Sequence, residues 1–127
     1  MSVDKNSINL SSEQRYELFM QSFMSSREAW ILTDEHGAVM LTEEEEDYVP
    51  FWPTQELAEL WADDEWGHCK ATKLSFDEIR NKWLPGMEAD ELCLIIFPAN
   101  DLSGQLFYPW EFEQVLDKKL AKLARKN

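Results

Sequence analysis

The chain has 127 residues, 44% of them hydrophobic and 13% aromatic, which predicts one folded domain and excludes a disordered protein. Its formal net charge of −13 argues against nucleic-acid binding, since that needs Lys and Arg to neutralise phosphates. The longest apolar run, 92–97, is too short to cross a membrane, and the polar first residues do not resemble a secretory signal. We therefore expect a cytoplasmic protein with two reduced cysteines.

The first third of the chain predicts a helix followed by a hairpin. Residues 1–9 are polar and lack periodicity, so we expect disorder there. Ser11 and Gln14 have the spacing of a capping box, and the apolar residues that follow repeat on one face, which predicts a helix over 12–25. Two β-prone runs within 29–42 flank a turn that contains a glycine, and this pattern is typical of a β-hairpin.

The middle of the chain predicts a connector, a helix, a strand and another helix. Pro50 and Pro53 exclude a helix and favour an extended connector. A threonine cap with apolar residues behind it predicts a second helix over 55–62. A strand over 69–74 is followed by a Ser–Glu capping box that begins a third helix, which we expect to end at Pro85-Gly86.

The last third predicts two strands and a helix. The run 92–97 is apolar without alternation, which is typical of a central strand buried on both faces. A short strand follows at 105–108, and Pro109 stands at the favoured first position of a final helix. The order α-β-β-α-β-α-β-β-α predicts an α+β domain over 10–127, with a single mixed, mostly antiparallel sheet of about five strands packed by about four helices. If the strands at 69–74 and 92–97 pair in parallel, their connection should be a right-handed crossover.

The negative charge is concentrated in one stretch. Between Glu28 and Cys69 there is no Lys or Arg, and 13 of the 25 acidic residues lie there. Four tryptophans are interleaved with these acids, and two of them, Trp30 and Trp61, have the positions of core residues. The pattern predicts an acidic face that carries aromatic side chains. The candidate partner-binding residues are Trp52, Trp66, Glu43, Glu44, Glu45, Glu46, Asp47, Asp63, Asp64 and Glu65. The alternative for Trp52 and Trp66 is that each covers the edge of the sheet instead of contacting a partner.

No pattern in the sequence predicts a catalytic residue, a cofactor or a metal. The chain lacks a GxSxG nucleophile motif and a glycine-rich phosphate loop. His68 and Cys69 are neighbours, but adjacent residues of a strand point to opposite faces, so we expect no metal site there. His36 lies in the hairpin turn, where we expect it to be exposed.

Three segments resemble a bacterial protein family of unknown function, the one numbered 2750 in the domain-of-unknown-function series. They are 49–60 (VPFWPTQELAEL), 82–87 (KWLPGM) and 95–98 (IIFP), and the similarity runs from about Leu10 to Leu116. The resemblance implies a small bacterial cytosolic protein. It assigns no site residue.

The favoured hypothesis is a non-enzymatic module that binds a basic protein surface with electrostatic steering. A narrower alternative is an immunity-type inhibitor of a basic toxin, and a mimic of a nucleic-acid duplex is a further one. The alternative from another class is a small-ligand-binding protein or enzyme with a site between Pro50 and Thr54. The oligomeric state is left open, although an edge strand at 105–108 would offer a route to dimers.

Overall fold

The computed structural model describes residues 5–35, 37–43, 45–62, 67–99 and 104–125. Four helices pack on two sheets, so the predicted α+β class is confirmed. The helices are α1 (Ser12–Ser26), α2 (Gln55–Trp61), α3 (Phe76–Glu78, Ile79–Trp83 and Leu84–Ala89, in continuous succession) and α4 (Pro109–Arg125). The strands are β1 (Glu28–Asp34), β2 (Gly37–Ala38), β3 (Leu41–Glu43), β4 (Glu46–Phe51), β5 (Lys70–Ser75), β6 (Cys93–Ile96) and β7 (Gln105–Phe107).

The strands form two sheets rather than the single sheet of about five strands that we expected. One sheet has the order β2-β1-β5 and the other the order β3-β4-β6-β7. They are joined at one point, where Trp30 and Trp52 form an antiparallel bridge. The backbone of Trp52 faces β1 there, and backbone groups alternate in direction along a strand, so Pro50 faces the same side. Because proline has no N–H to donate, the hydrogen bonding along this side of β4 is interrupted at Pro50.

The predicted hairpin divides between the two sheets. Its first strand is β1, and the short β2 pairs with it through Ala38 and Thr33. Gly37 has a φ of 119°, which confirms that the turn needs a glycine. The chain then leaves β1, and Leu41 of β3 pairs with Tyr48 of β4. The segment that we expected to be an extended connector is therefore largely a strand.

The parallel pair of strands in the structure is not the pair 69–74 and 92–97 that the sequence analysis considered. β5 pairs with β1 in the antiparallel direction, whereas β4 and β6 are parallel neighbours. The connection between the parallel strands runs through α2, β5 and α3, so it is much longer than a single helix. All four residues of β6 are buried, which confirms a central strand covered on both faces.

The helix α3 continues through Pro85 and Gly86, so the prediction that it ends there was wrong. Residues Ile79–Trp83 form a π-helical turn in which the N–H of Leu84 bonds to the carbonyl of Ile79, five residues earlier. This wider turn comes directly before Pro85, which cannot donate an N–H. The helix instead ends at Ala89, with Asp90 as its C-cap residue.

One hydrophobic cluster lies between the helices and the sheets, with Phe19, Phe23, Phe51, Trp52, Phe97 and Phe112 among its fully buried side chains. Arg15 is also buried and donates from Nε to the carbonyl of Phe97 at 2.9 Å. Lys5–Asn9 form a 3-10 helix with Ser7 buried, which differs from the disorder expected over 1–9. No helix in the described part of the chain could span a membrane.

Candidate functional site

Trp52 is not available to a partner. Its side chain is 0% exposed, and its ring lies 5.3 Å from that of Trp61. The residue follows directly after the central strand β4 and is tied to β1, which places its side chain in the core. The prediction that Trp52 is an exposed partner-binding residue was therefore wrong.

The remaining predicted residues divide into two groups. Glu45, Glu46 and Asp47 lie at the turn and start of β4 and line a cleft. The others stay predictions. For Glu43 only the backbone is described, and the remaining five fall outside the described residues: Trp66, Glu44, Asp63, Asp64 and Glu65. His36 also lies outside the described residues.

The cleft has a volume of about 580 Å³ and is referred to below as the acidic cleft. Six carboxylates contribute to its wall, and no Lys, Arg or His does so among the residues that the structure describes. Its full lining is Glu45, Glu46, Asp47, Glu88, Asp90, Glu91, Leu92, Cys93, Tyr108, Pro109 and Trp110. A cavity with this lining is complementary to a cationic ligand or side chain.

Three structural segments meet at the acidic cleft. The β3–β4 hairpin supplies one wall, with Glu45 at a φ of 69° in its turn and Asp47 held by a 2.6 Å hydrogen bond from Thr42 Oγ1. The end of α3 supplies the second wall, where the N–H of Leu92 bonds to the carbonyl of Met87 at 2.8 Å and closes the turn. The start of α4 supplies the third wall.

The carboxylate of Glu46 lies close to the polar atoms of three neighbouring side chains. Its Oε2 accepts a hydrogen bond from the hydroxyl of Tyr48 at 3.1 Å and lies 3.7 Å from the Sγ of Cys93. Its Oε1 lies 3.5 Å from the hydroxyl of Tyr108. A second cavity of about 170 Å³ adjoins the cleft at these groups, because Glu46, Cys93 and Tyr108 line both.

The charge of Glu46 alters the acidity of its neighbours. Burial, followed by the charge and hydrogen bond of Glu46, raises the pKa of the Cys93 thiol. The charge of Glu46 is also the largest cause of the raised pKa of Tyr108. Both groups are therefore held in their protonated forms, which is the opposite of what an activated thiolate nucleophile needs.

An exposed aromatic pair stands beside the carboxylates. The rings of Tyr108 and Trp110 are nearly parallel, at an interplanar angle of 6° and a centroid distance of 6.5 Å. They are 48% and 49% exposed, and Leu106 on the edge strand β7 is 50% exposed. Sequence reasoning missed Trp110, although a signal existed, because a residue two positions before the buried Phe112 faces away from the core in a helix.

A separate cluster lies where β1 and β5 meet. Asp34, His68 and Cys69 bring one potential ligand atom each to within 4.8 Å of one another. The expectation that His68 and Cys69 point apart was wrong, because both residues precede β5 and belong to a turn and its exit rather than to a strand. Their Nε2 and Sγ atoms are 3.8 Å apart.

A third cavity of about 530 Å³ lies between α1 and α4, where Tyr16, Met20 and Met24 face Lys119 and Lys122. None of the three cavities is lined by the residues from Pro50 to Thr54. Pro50, Phe51, Trp52 and Pro53 are all buried. Only Thr54 of this segment is partly exposed, and the ligand site that the sequence suggested there stays a prediction.

A protein-family model described as "Protein of unknown function (DUF2750)" matches residues 16–116. The match covers most of the chain and includes all three segments on which the resemblance rested. No curated protein matches the chain.

Proposed function

The chain belongs to the DUF2750 family, whose function is unknown, and we propose from its own geometry that it is a non-enzymatic module that binds a basic protein. The observation that carries this proposal is the acidic cleft with its exposed Tyr108–Trp110 pair. Here the carboxylates supply the attraction and the aromatic rings supply apolar contact area.

The carboxylates of the cleft come from parts of the chain that are far apart in sequence. Glu45–Asp47 belong to the acidic stretch between Glu28 and Cys69. Glu88, Asp90 and Glu91 belong to the rest of the chain, in which acidic and basic residues are equal in number. Elsewhere in the acidic stretch, Glu28 is next to Lys73 at 3.7 Å. The local excess of negative charge is thus produced by folding, and it would speed encounter with a cationic surface.

The aromatic pair gives the surface an anchor. Half-exposed Trp and Tyr side chains beside a polar rim are typical of the residues that dominate binding energy in interfaces. A guanidinium group that entered the cleft could pair with a carboxylate and also lie against the face of Trp110. An Arg-rich or Lys-rich partner surface therefore fits this cleft better than an anionic or wholly apolar one.

A capture experiment with a charge-matched control tests the proposal. The cleft variant carries Glu88→Gln, Asp90→Asn and Glu91→Gln, and the control carries Glu56→Gln, Glu59→Gln and Glu113→Gln, which are exposed and do not line the cleft. Each immobilised protein is incubated with cell lysate at low and at moderate salt, and retained proteins are identified by mass spectrometry and then titrated in purified form.

We expect wild type and control to retain a basic protein at low salt, and the cleft variant to bind it about tenfold more weakly or worse. Moderate salt should weaken the wild-type interaction because exposed charges are screened. Retention of no basic protein at low salt would contradict the proposal, and so would equal affinity of cleft variant and control. If the partner is a nuclease and the protein suppresses its activity, the result would support the narrower hypothesis that the protein is an immunity-type inhibitor of a basic toxin.

A further inference from the structure

The side chains of Asp34, His68 and Cys69 converge at one end of the β1–β5 pair. The antiparallel pairing of β1 with β5 ends at Thr33 and Lys70, and Asp34 and Cys69 are the next residues beyond that pair. Their ligand atoms lie within 4.8 Å of each other. His68 then adds its ring from the turn before Cys69, and its Nε2 lies 4.0 Å from Asp34 Oδ2.

The spacing of the three atoms is close to that of a metal site. Tetrahedral Zn²⁺ with its usual bond lengths places a Cys sulfur about 3.6 Å from a His nitrogen, and a carboxylate oxygen about 3.4 Å from that nitrogen. The observed separations are 3.8 Å for the sulfur and 4.0 Å for the oxygen. The sulfur and the carboxylate oxygen, which would lie about 3.6 Å apart on such an ion, are within 4.8 Å of each other, so side-chain rotations that move the atoms by up to about 1 Å would give the spacing of a zinc site.

The same three residue types could also form a nucleophilic triad, but their arrangement differs from one. A triad uses both nitrogens of the histidine, one toward the nucleophile and the other toward the carboxylate. Here the same atom, Nε2 of His68, faces both Cys69 and Asp34. Three electron-pair donors that converge in this way are arranged to share one cation.

We propose that Asp34, His68 and Cys69 bind Zn²⁺, with a fourth position open to water or to a further ligand. A set of one sulfur, one nitrogen and one oxygen suits this borderline-soft ion, whereas Mg²⁺ and Ca²⁺ take oxygen ligands. On binding, the Cys69 thiol gives its proton to the solvent and coordinates as thiolate. The ion would tie the end of β1 to the start of β5, at a place separate from the acidic cleft, so this proposal does not depend on the proposed function.

Cobalt provides a spectroscopic test on the full-length, reduced and metal-free protein. Co²⁺ is expected to bind with one-to-one saturation and to give a thiolate-to-cobalt charge-transfer band together with visible bands of tetrahedral intensity. Zn²⁺ should displace it and remove these bands. A wild-type protein that shows no thiolate band on titration with Co²⁺ would refute the proposal.

Substitution of each proposed ligand tests which residues produce the thiolate-to-cobalt charge-transfer band. Cys69→Ser should abolish the charge-transfer band, while Asp34→Asn and His68→Ala should each weaken Co²⁺ binding about tenfold or more, since even outer-shell changes cost that much. The matched control is Cys93→Ser, which removes the other cysteine of the chain and should leave the band unchanged. A band that survives Cys69→Ser, or unaltered affinity in both Asp34→Asn and His68→Ala, would overturn the assignment.

A measurement on the wild type avoids any effect of substitution on folding. Alkylation of Cys69 is followed by peptide mass spectrometry with and without Zn²⁺, and the buried Cys93 serves as the internal reference. Zn²⁺ should slow alkylation of Cys69 about tenfold or more and leave Cys93 unaffected, because a coordinated thiolate is held by the metal. An alkylation rate of Cys69 that does not respond to Zn²⁺ would mean that the thiol is not a ligand.

Discussion

The backbones of Trp30 and Trp52 exchange two hydrogen bonds, at N–O distances of 2.9 and 2.8 Å, and this bridge joins the two sheets. The side chain of Trp52 is fully buried on the core side, and its Nε1 has no acceptor among the described residues. A tryptophan in this position stabilises the fold. Under the proposed function, the exposed tryptophan that would contact a partner is Trp110, at the start of α4.

Truncating these two tryptophans should separate stability from binding. Trp52→Ala should lower the free energy of unfolding by about 3–5 kcal/mol, because a fully buried aromatic ring leaves a large cavity. Trp110→Ala should change it by only about 0.5 kcal/mol, yet it should weaken binding of the captured partner. Urea denaturation and a binding titration give the two values. Similar losses of stability in both variants would contradict the structural role of Trp52.

Arg15 should be a major source of stability in spite of its charge. It is 3% exposed, and its guanidinium donates to the carbonyls of Phe97 and Leu10, which link α1 to the end of β6 and to the segment before α1. Arg15→Met should cost about 2 kcal/mol or more in urea denaturation, since it leaves these carbonyls without their donors.

The control is Arg80→Met, which breaks an exposed ion pair with Asp117. It should cost only about 0.2–1 kcal/mol, because exposed pairs are screened by solvent. An Arg15 variant that is no less stable than the Arg80 variant would count against this prediction.

Two glycine substitutions should have opposite effects. Gly86 lies inside α3, and a Cβ there would meet no atom within 4 Å, so Gly86→Ala should stabilise the protein by about 0.5–1 kcal/mol through helix propensity. Gly37 has a φ of 119°, so Gly37→Ala should be destabilising because the alanine side chain disfavours that conformation. Thermal unfolding measures both changes, and a loss of stability in Gly86→Ala would indicate that the helix does not continue through that residue.

Glu46 should control the reactivity of Cys93. Its negative charge contributes to the raised pKa of the thiol, so Glu46→Gln should lower that pKa and increase the thiolate fraction at a given alkaline pH. The pH profile of Cys93 alkylation should then shift toward lower pH in a Cys69→Ser background. The control Glu45→Gln changes the same cleft at a residue that makes no hydrogen bond to Cys93, so it should shift the profile less. A shift toward higher pH in Glu46→Gln would mean that another effect dominates.

Several local features could be read from the sequence because they depend on neighbouring residues only. The capping box at Ser11 and Gln14 is formed on both sides, and the helix after it spans Ser12–Ser26. The box at Ser75 and Glu78 is formed in the same way. Pro109 begins the last helix as expected, because its fixed φ and missing N–H suit that position.

Sequence reasoning failed at two prolines, at one because of pairing with a distant strand and at the other because of an unusual helical turn. Pro50 indicated a connector, but β4 pairs with β6 through its other side, where Val49 lies opposite Leu94. The missing N–H of Pro50 is not needed for that pairing. Pro85 indicated a helix end, but the π turn before it lets α3 continue. In each case proline removed one donor, and the surrounding structure was arranged so that this donor was not needed.

The amino-acid sequence alone determined the class of the fold, the starts of its helices and the excess of acidic residues, since these follow from composition and from contacts a few residues apart. Only the tertiary structure decided which acids and which aromatic side chains form a surface. The parallel register that places Tyr48 opposite Cys93 sets the acidic hairpin next to the end of α3, and the β6–β7 pairing adds Tyr108 and Trp110. Such juxtapositions depend on pairing between distant segments, which no local pattern specifies.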